Sequence, residues 1–319
     1  RTTSGSQLDL RMKTRVLWQR WKPSCATLKM LDTVAIVGVG MIGGSVAAAL
    51  RDRNLAATIH GFDANPTHLS SALAAGLIDA APTGGVAADL VVLAVPVLSV
   101  EAVLRELALA FANGTVVTDV LSVKQPVLRG ASEALGAVPE TLVPGHPIAG
   151  SEQRGPDAAD PDLFVDHRVI LTPTATTRET ATATVKGMWE AIGAKVVLME
   201  AARHDQVLAC TSHLPHLLAY ALVDSLSKLE DSAEVFRFAA GGFRDFTRIA
   251  GSDPVMWRDI FASNRTALLD VLDQFTADLA NLRGLIERDA QSEVFAVLDE
   301  ARMTREALSA HLEGENSEE

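Results

Sequence analysis

The stretch Gly38-Val39-Gly40-Met41-Ile42-Gly43-Gly44 constrains this chain more than any other part of it. It follows a short β-branched run, 33–37, and opens onto an Ala-rich segment of helical composition. G-x-G-x-x-G alone is a weak signal, but between a strand and a helix it reads as the turn that holds a pyrophosphate. The first glycine permits the tight turn, the second lets backbone approach the phosphates, and the third lets the helix pack on the sheet. The helix N-terminus offers N–H groups and the positive end of its dipole to the anion. Asp63 ends the next strand, 20 residues past Gly43. A carboxylate there accepts hydrogen bonds from ribose hydroxyls and repels a 2′-phosphate, and no Arg follows it closely. Gly38, Gly40, Met41, Ile42, Gly43 and Asp63 are therefore expected around NAD rather than NADP, with Val95 and Pro96 at the end of a third strand completing the lining.

Apolar, β-branched runs recur at 58–62, 89–95, 115–120, from 142, at 168–171 and at 195–198. Helical stretches lie between them, at 45–54, after Pro66 and at 100–111. Strands alternating with helices predict an α/β fold, a Rossmann-type, doubly wound, mostly parallel sheet. Near Ala201 the strands stop, and the chain reads as helix to about Leu312. The longest helix is expected where Leu268, Leu272, Phe275, Leu279, Leu282 and Ile286 alternate steps of four and three, a heptad-like seam. That seam fits an intrachain core stripe and a subunit interface equally well. The expected organisation is a basic, disordered leader at 1–30, a nucleotide-binding domain at 31–200, an all-helical domain at 201–312 and a frayed acidic tail at 313–319.

Charge narrows the partners. The first 29 residues hold seven Lys/Arg and one Asp, so the remainder carries 21 Lys/Arg against 39 Asp/Glu, a net −18. An acidic body argues against nucleic acid and anionic membranes as partners. An anionic substrate would need a local cluster of Arg, Lys or His. Two cysteines in 319 residues make no disulfide framework and fit a reducing, cytoplasmic setting. Cys210, among apolar neighbours, is expected to be buried and inert. No apolar run is long enough to span a bilayer.

Ligands in such sheets lie beyond the carboxyl ends of the strands. Ser122 follows the fourth strand there, and His146 follows the fifth, set between Gly145 and Pro147. Proline restrains the residue before it to extended backbone, which limits where His146 can point. Ser122 reads equally well as a cap for the next helix. His213 and His216 have metal-ligand spacing, but no third ligand has convincing spacing, so no metal site is expected. Pro215 between them is read instead as kinking the helix and aiming the rings.

Gly145-His146-Pro147-Ile148-Ala149-Gly150-Ser151-Glu152 resembles the G-H-P-[IM]-[AF]-G-[ST]-E signature of prephenate and arogenate dehydrogenases. Asp119-Val120-Leu121-Ser122-Val123-Lys124 is similar to that family's D-x-x-S-x-K segment. His204-Asp205 with Ser212-His213-Leu214-Pro215-His216 resembles its H-D and S-H-L-P-H helix. Gly241 to Ala250 resembles G-G-F-[RK]-D-F-T-R-I-A, and Ser252-Asp253-Pro254-Val255-Met256-Trp257 completes a set running from residue 33 to about 260.

The resemblance implies a Rossmann-type domain followed by an all-helical dimerisation domain, which tips the heptad seam toward a homodimer interface. It implies NAD-dependent oxidative decarboxylation of prephenate to 4-hydroxyphenylpyruvate, a step of tyrosine biosynthesis. His146 is then the base that takes the 4-hydroxyl proton, with Ser122 hydrogen-bonded nearby. Arg248 would bind the ring carboxylate. His216, Arg244 and Glu152 would line the side-chain end of the pocket, and His204 and His213 would support it. The family pattern brings Trp257 from the second subunit. Arogenate, or both acids, is the alternative substrate. A β-hydroxyacid dehydrogenase would use a catalytic Lys, and the His-Pro signature argues against it. A catalytically inactive NAD-binding regulatory protein would bind NAD without turning over either acid.

Overall fold

A computed structural model describes residues 31–150 and 153–315. The basic leader and Glu152 lie outside the described residues. In chain order the elements are β1 (Leu31–Val37), α1 (Met41–Asp52), β2 (Ala56–Phe62), α2 (Pro66–Ala74), β3 (Leu90–Leu93), α3 (Val100–Glu106), α4 (Ala108–Ala112), β4 (Val116–Asp119) and α5 (Gln125–Leu135). There follow β5 (Leu142–Val143), β6 (Gly145–Pro147), β7 (Arg168–Leu171), α6 (Glu179–Ala191) and β8 (Lys195–Leu198). The helical part comprises α7 (Ala201–Leu208), α8 (Leu214–Ser227), α9 (Ser232–Arg237), α10 (Gly241–Thr247), α11 (Pro254–Ser263), α12 (Arg265–Glu287) and α13 (Gln291–Glu315).

Five strands form one parallel sheet in the order β2-β1-β3-β4-β5. Successive side chains on a strand point to opposite faces. Val34, Ile36, Leu90 and Val92 accordingly pack with Val46 and Leu50 of α1 and Val185 and Trp189 of α6. Ala35, Val91, Leu93 and Val117 pack on the other face, with Leu104 of α3 and Val127 of α5. A sheet covered on both faces explains why its strands read as unbroken apolar runs.

From β1 the chain turns one way to β2 and the other way to β3, so the crevice between β1 and β3 is the topological switch point. The register sets Phe62, Val37, Leu93 and Asp119 level across the sheet. Asp63, Gly38, Ala94 and Val120 therefore emerge along one edge.

The last strands do not extend that sheet. β6, β7 and β8 make a second, three-stranded sheet, with β6 antiparallel to β7 and β7 parallel to β8. The chain crosses between sheets at Pro144, so His146 sits on an edge strand, where Pro147 removes no needed ladder donor. A three-residue strand ending in proline has no period to read, and the sequence did not predict it.

Three helical expectations need correction. The longest helix is α13, with 25 residues against 23 for α12. α13 runs through Glu315, so 313–315 continue a helix rather than fray, and 316–319 lie outside the described residues. The segment 100–111 is broken into α3 and α4. In the heptad seam Leu268 is buried, while Leu279 and Ile286 are 54% and 64% exposed, so this chain by itself leaves much of the stripe uncovered.

Candidate active site

The glycine turn fits a dinucleotide. Gly38 has φ +95, and a Cβ there would lie 2.3 Å from the Ala94 carbonyl oxygen. A Cβ on Gly43 would lie 1.9 Å from the Gly38 oxygen. At Gly40, by contrast, a Cβ would meet nothing within 4 Å, so the turn presents bare backbone to open space. α1 starts at Met41 with no side-chain cap on its first turn. Its leading N–H groups have no intrahelical acceptor and face that space. The cleft is about 450 Å³ and is lined by Gly40, Met41, Ile42, Gly43, Val95 and Pro96 together with Ser122. Its other wall comes from Gln153–Gly155 and from Asp253, Val255, Met256, Asp259 and Ile260. Arg154 and Asp253 pair across the mouth at 3.0 Å.

Asp63 is anchored for the ribose. Its Oδ2 accepts from Val39 N at 2.9 Å and its Oδ1 from Asn65 N at 2.8 Å. His68 Nδ1 lies 3.3 Å from Oδ2, a basic neighbour that sequence reading overlooked.

Behind the cleft stands a chain of hydrogen bonds through two imidazoles. Asp205 Oδ1 and Oδ2 accept from Lys124 N and Gln125 N, at 2.8 and 2.9 Å, so a carboxylate from α7 caps the first turn of α5. Ser122 is not that cap. His204 Nδ1 lies 2.8 Å from Asp205 Oδ1, and His204 Nε2 lies 2.9 Å from His146 Nδ1. These partners assign the tautomers. The carboxylate only accepts, so His204 Nδ1 carries the proton and its Nε2 accepts from His146 Nδ1–H. His146 Nε2 is left with a lone pair. Ser122 was expected to orient either His146 or the substrate hydroxyl; among the described residues the ring's hydrogen-bond partner is His204.

His213 is buried, and its Nδ1 accepts from Asn264 Nδ2 at 3.1 Å. The same amide donates to Asp205 O at 2.8 Å. Trp257 stacks on His216 of its own chain, with centroids 3.7 Å apart and planes 21° apart. α11 seats the indole against Val123, Ile260 and Tyr220. His216 Nδ1–H donates to Ser212 O at 2.8 Å. Arg248 lies close enough to His216 to oppose its protonation. Arg244 is exposed on α10.

A π-helical turn, Ala209–His213, precedes Pro215. It accommodates a residue that has no N–H and whose ring would crowd the preceding turn. The same turn rotates Cys210 outward, and the thiol expected to be buried is exposed.

All four imidazoles are held toward neutrality. Burial lowers the His146 pKa well below its ordinary 6.5, helped by His204, Lys124 and His213. Burial also lowers His204, although its bond to Asp205 opposes this, and lowers His216. It brings His213 to about 4. Because each folded pKa is below the unfolded one, the stability these groups contribute is complete above about pH 6.5 and is lost as pH falls through the folded values. For His213 alone the loss by pH 4 is about 3 kcal/mol. Urea titrations at pH 7.5 and pH 5 should show the midpoint falling. A midpoint that stays constant would mean the rings are not held neutral.

Asp205, Lys124 and Asn264 were given no role from the sequence. Asp205 was visible beside His204 in the motif. Lys124 stood five residues after an Asp at a strand end. Asn264 lies between two helices with no pattern to mark it.

Comparisons with known proteins show the family of this chain. The family model "Prephenate dehydrogenase, nucleotide-binding domain" matches residues 46–198, and "Prephenate dehydrogenase, dimerization domain" matches residues 200–300. The chain is 40% identical over 281 residues to a cyclohexadienyl dehydrogenase of Zymomonas mobilis, covering 86% of this chain and 95% of that protein. It resembles the crystal structure of prephenate dehydrogenase from A. aeolicus, solved with hydroxyphenyl propionate and NAD+, with TM-score 0.82 and 38% identity, covering 88% of this chain and 99% of that one. It also resembles Synechocystis arogenate dehydrogenase, with TM-score 0.73 and 29% identity, covering 86% and 99%.

Proposed function

The chain belongs to the prephenate dehydrogenase family, and from that premise we propose that it converts prephenate to 4-hydroxyphenylpyruvate with NAD. Gly38, Gly40, Gly43 and Asp63 would hold NAD, which would supply the acceptor for the hydride lost from ring C4 as the ring carboxylate leaves as CO2. His146 Nε2 takes the proton of the 4-hydroxyl, which becomes more acidic as hydride leaves. The observation that carries this reading is the Asp205–His204–His146 chain, which ends on that lone pair. General-base assistance of this kind is worth about 10²–10⁴-fold.

The base is fixed relative to the cleft. Gly145, directly before it, bonds Asp119 and Lys124, which flank Ser122 in sequence. Ser122 orients the hydroxyl from the cleft wall. Arg248 supplies a guanidinium fork for the ring carboxylate. His216 and Arg244, with Glu152, serve the side-chain end, and Trp257 and His213 hold His216 in place. In an acidic chain the guanidinium groups of Arg244 and Arg248 are the cations that an anionic substrate requires.

The uncovered apolar stripe of α12 supports a homodimer through the helical part. The acidic surface argues against nucleic acid as a partner. Among the described residues no helix is long and apolar enough to cross a membrane.

The likeness to cyclohexadienyl and arogenate dehydrogenases favours a second reading, in which arogenate is also accepted. NADH absorbance with prephenate and with arogenate, each with NAD and with NADP, separates the readings. Prephenate with NAD should be the productive pair. Turnover of arogenate alone would reassign the substrate, and NAD binding without turnover of either acid would refute the reaction.

A further inference from the structure

Lys124 takes no part in the proton path, yet its side chain is fully buried. Lysine is almost never buried so completely unless it is paired. Its Nζ donates to Asp119 Oδ1 and to the carbonyl oxygen of Gly145. Its main-chain N–H donates to Asp205 Oδ1 at 2.8 Å. Asp119 also accepts from Leu121 N at 2.9 Å and Gly145 N at 3.3 Å. Three donors converge on that carboxyl and favour its ionised form, against burial, which pushes the Asp119 pKa up and the Lys124 pKa down. Burying such a pair carries a large desolvation penalty, and packed apolar side chains would avoid it.

The connections of Lys124 show what the pair does. Both main-chain polar groups of Gly145 are bonded to it, the N–H to Asp119 and the carbonyl to Lys124. The next residue is His146. From the other side, the Lys124 amide holds Asp205, Asp205 holds His204, and His204 holds the His146 ring. The backbone and the ring of His146 are thus both referenced to one residue, although His146 rides on a different sheet from β4.

We propose that Lys124 is a positioning residue for His146, fixing the strand that carries it and, through Asp205 and His204, the orientation of its imidazole. The inference rests on His146 being the general base.

Position has an electrostatic companion. The titratable groups around His146 are His204 and Asp205 from α7, His213 from the π-helical turn, and Asp119 and Lys124 from β4 and the loop after it. Burial is the largest influence on the ring, and the Lys124 ammonium adds to it in disfavouring the imidazolium.

The test is the double substitution Asp119→Asn with Lys124→Met, which removes both buried charges together. If that protein does not fold, Asp119→Asn with Lys124→Gln keeps a neutral hydrogen-bonding pair. In the full chain, the His146 imidazole is titrated by NMR and kcat is measured with the preferred acid. The ring's proton affinity should rise about tenfold, and kcat should fall about tenfold or more as the base is displaced, with NAD affinity unchanged. A folded double variant with wild-type His146 titration and wild-type kcat would overturn the proposal. The titration needs no substrate, so an enzyme inactive toward both acids would refute the reaction and still leave Lys124 decided.

Discussion

His146→Asn is expected to lower kcat by about 10²–10⁴-fold while leaving NAD affinity near that of the parent. Asparagine keeps a side-chain polar group at the edge of β6, but it offers no basic nitrogen to the hydroxyl proton. The cofactor contacts are untouched, because the glycine turn and Asp63 belong to the five-stranded sheet and His146 to the smaller one. Steady-state kinetics with a separate NAD titration tests both halves. Turnover near the parent value would remove His146 from the mechanism. The parent enzyme should show a matching pH signature. The base acts in its neutral form, so the rate declines only as pH falls through a pKa that lies well below 6.5. A decline already centred near neutrality would mean that the ring is more solvated than its surroundings here allow.

Asp205→Asn should be nearly as damaging, without touching the base. The carboxylate serves three donors: Lys124 N, Gln125 N and His204 Nδ1. An amide has one oxygen to offer. If that oxygen stays on Gln125 N, its NH2 faces Lys124 N and His204 Nδ1, which share the other position, and the tautomers reverse. His204 Nε2 then donates to His146 Nδ1, and His146 Nε2 becomes a donor where an acceptor is required. The equivalent change in serine-protease triads costs about 10⁴-fold through the same tautomer error. A lost helix cap alone would destabilise by about 1 kcal/mol, which denaturant titration measures separately. Parent-like turnover in a folded Asp205→Asn protein would show that the tautomers had not reversed.

The sequence was most legible where spacing maps directly onto geometry. Gly38, Gly40 and Gly43 have the three different surroundings that their roles require. The runs at 33–37 and 89–95 became central strands because a parallel sheet buries both of their faces. Legibility failed where an interaction spans long sequence separations. Asp205 and Lys124 are 81 residues apart, and nothing in either segment announces that one caps the helix following the other. The π-helical turn carries Cys210 outward, although its apolar neighbours in sequence had implied burial. The edge strand carrying His146 was too short to read. The residues of the site were recognisable as a set from resemblance, but the hydrogen bonds that join Asp205, His204 and His146 were not.

The π-helical turn has a consequence for which changes the protein can accept. Winding five residues where an α-helix would close sooner amounts to one extra residue in the thread. His204 lies before it, and His213 and His216 lie at its end and beyond. Cys210 and Thr211, inside the turn, are exposed, so many side chains should be accepted at either position. Removing either residue is another matter. The helix would revert to its regular winding and everything after it would swing by about 100°, carrying His216 off Trp257 and His213 off Asn264. At these two positions a library of variants should be rich in replacements and empty of deletions.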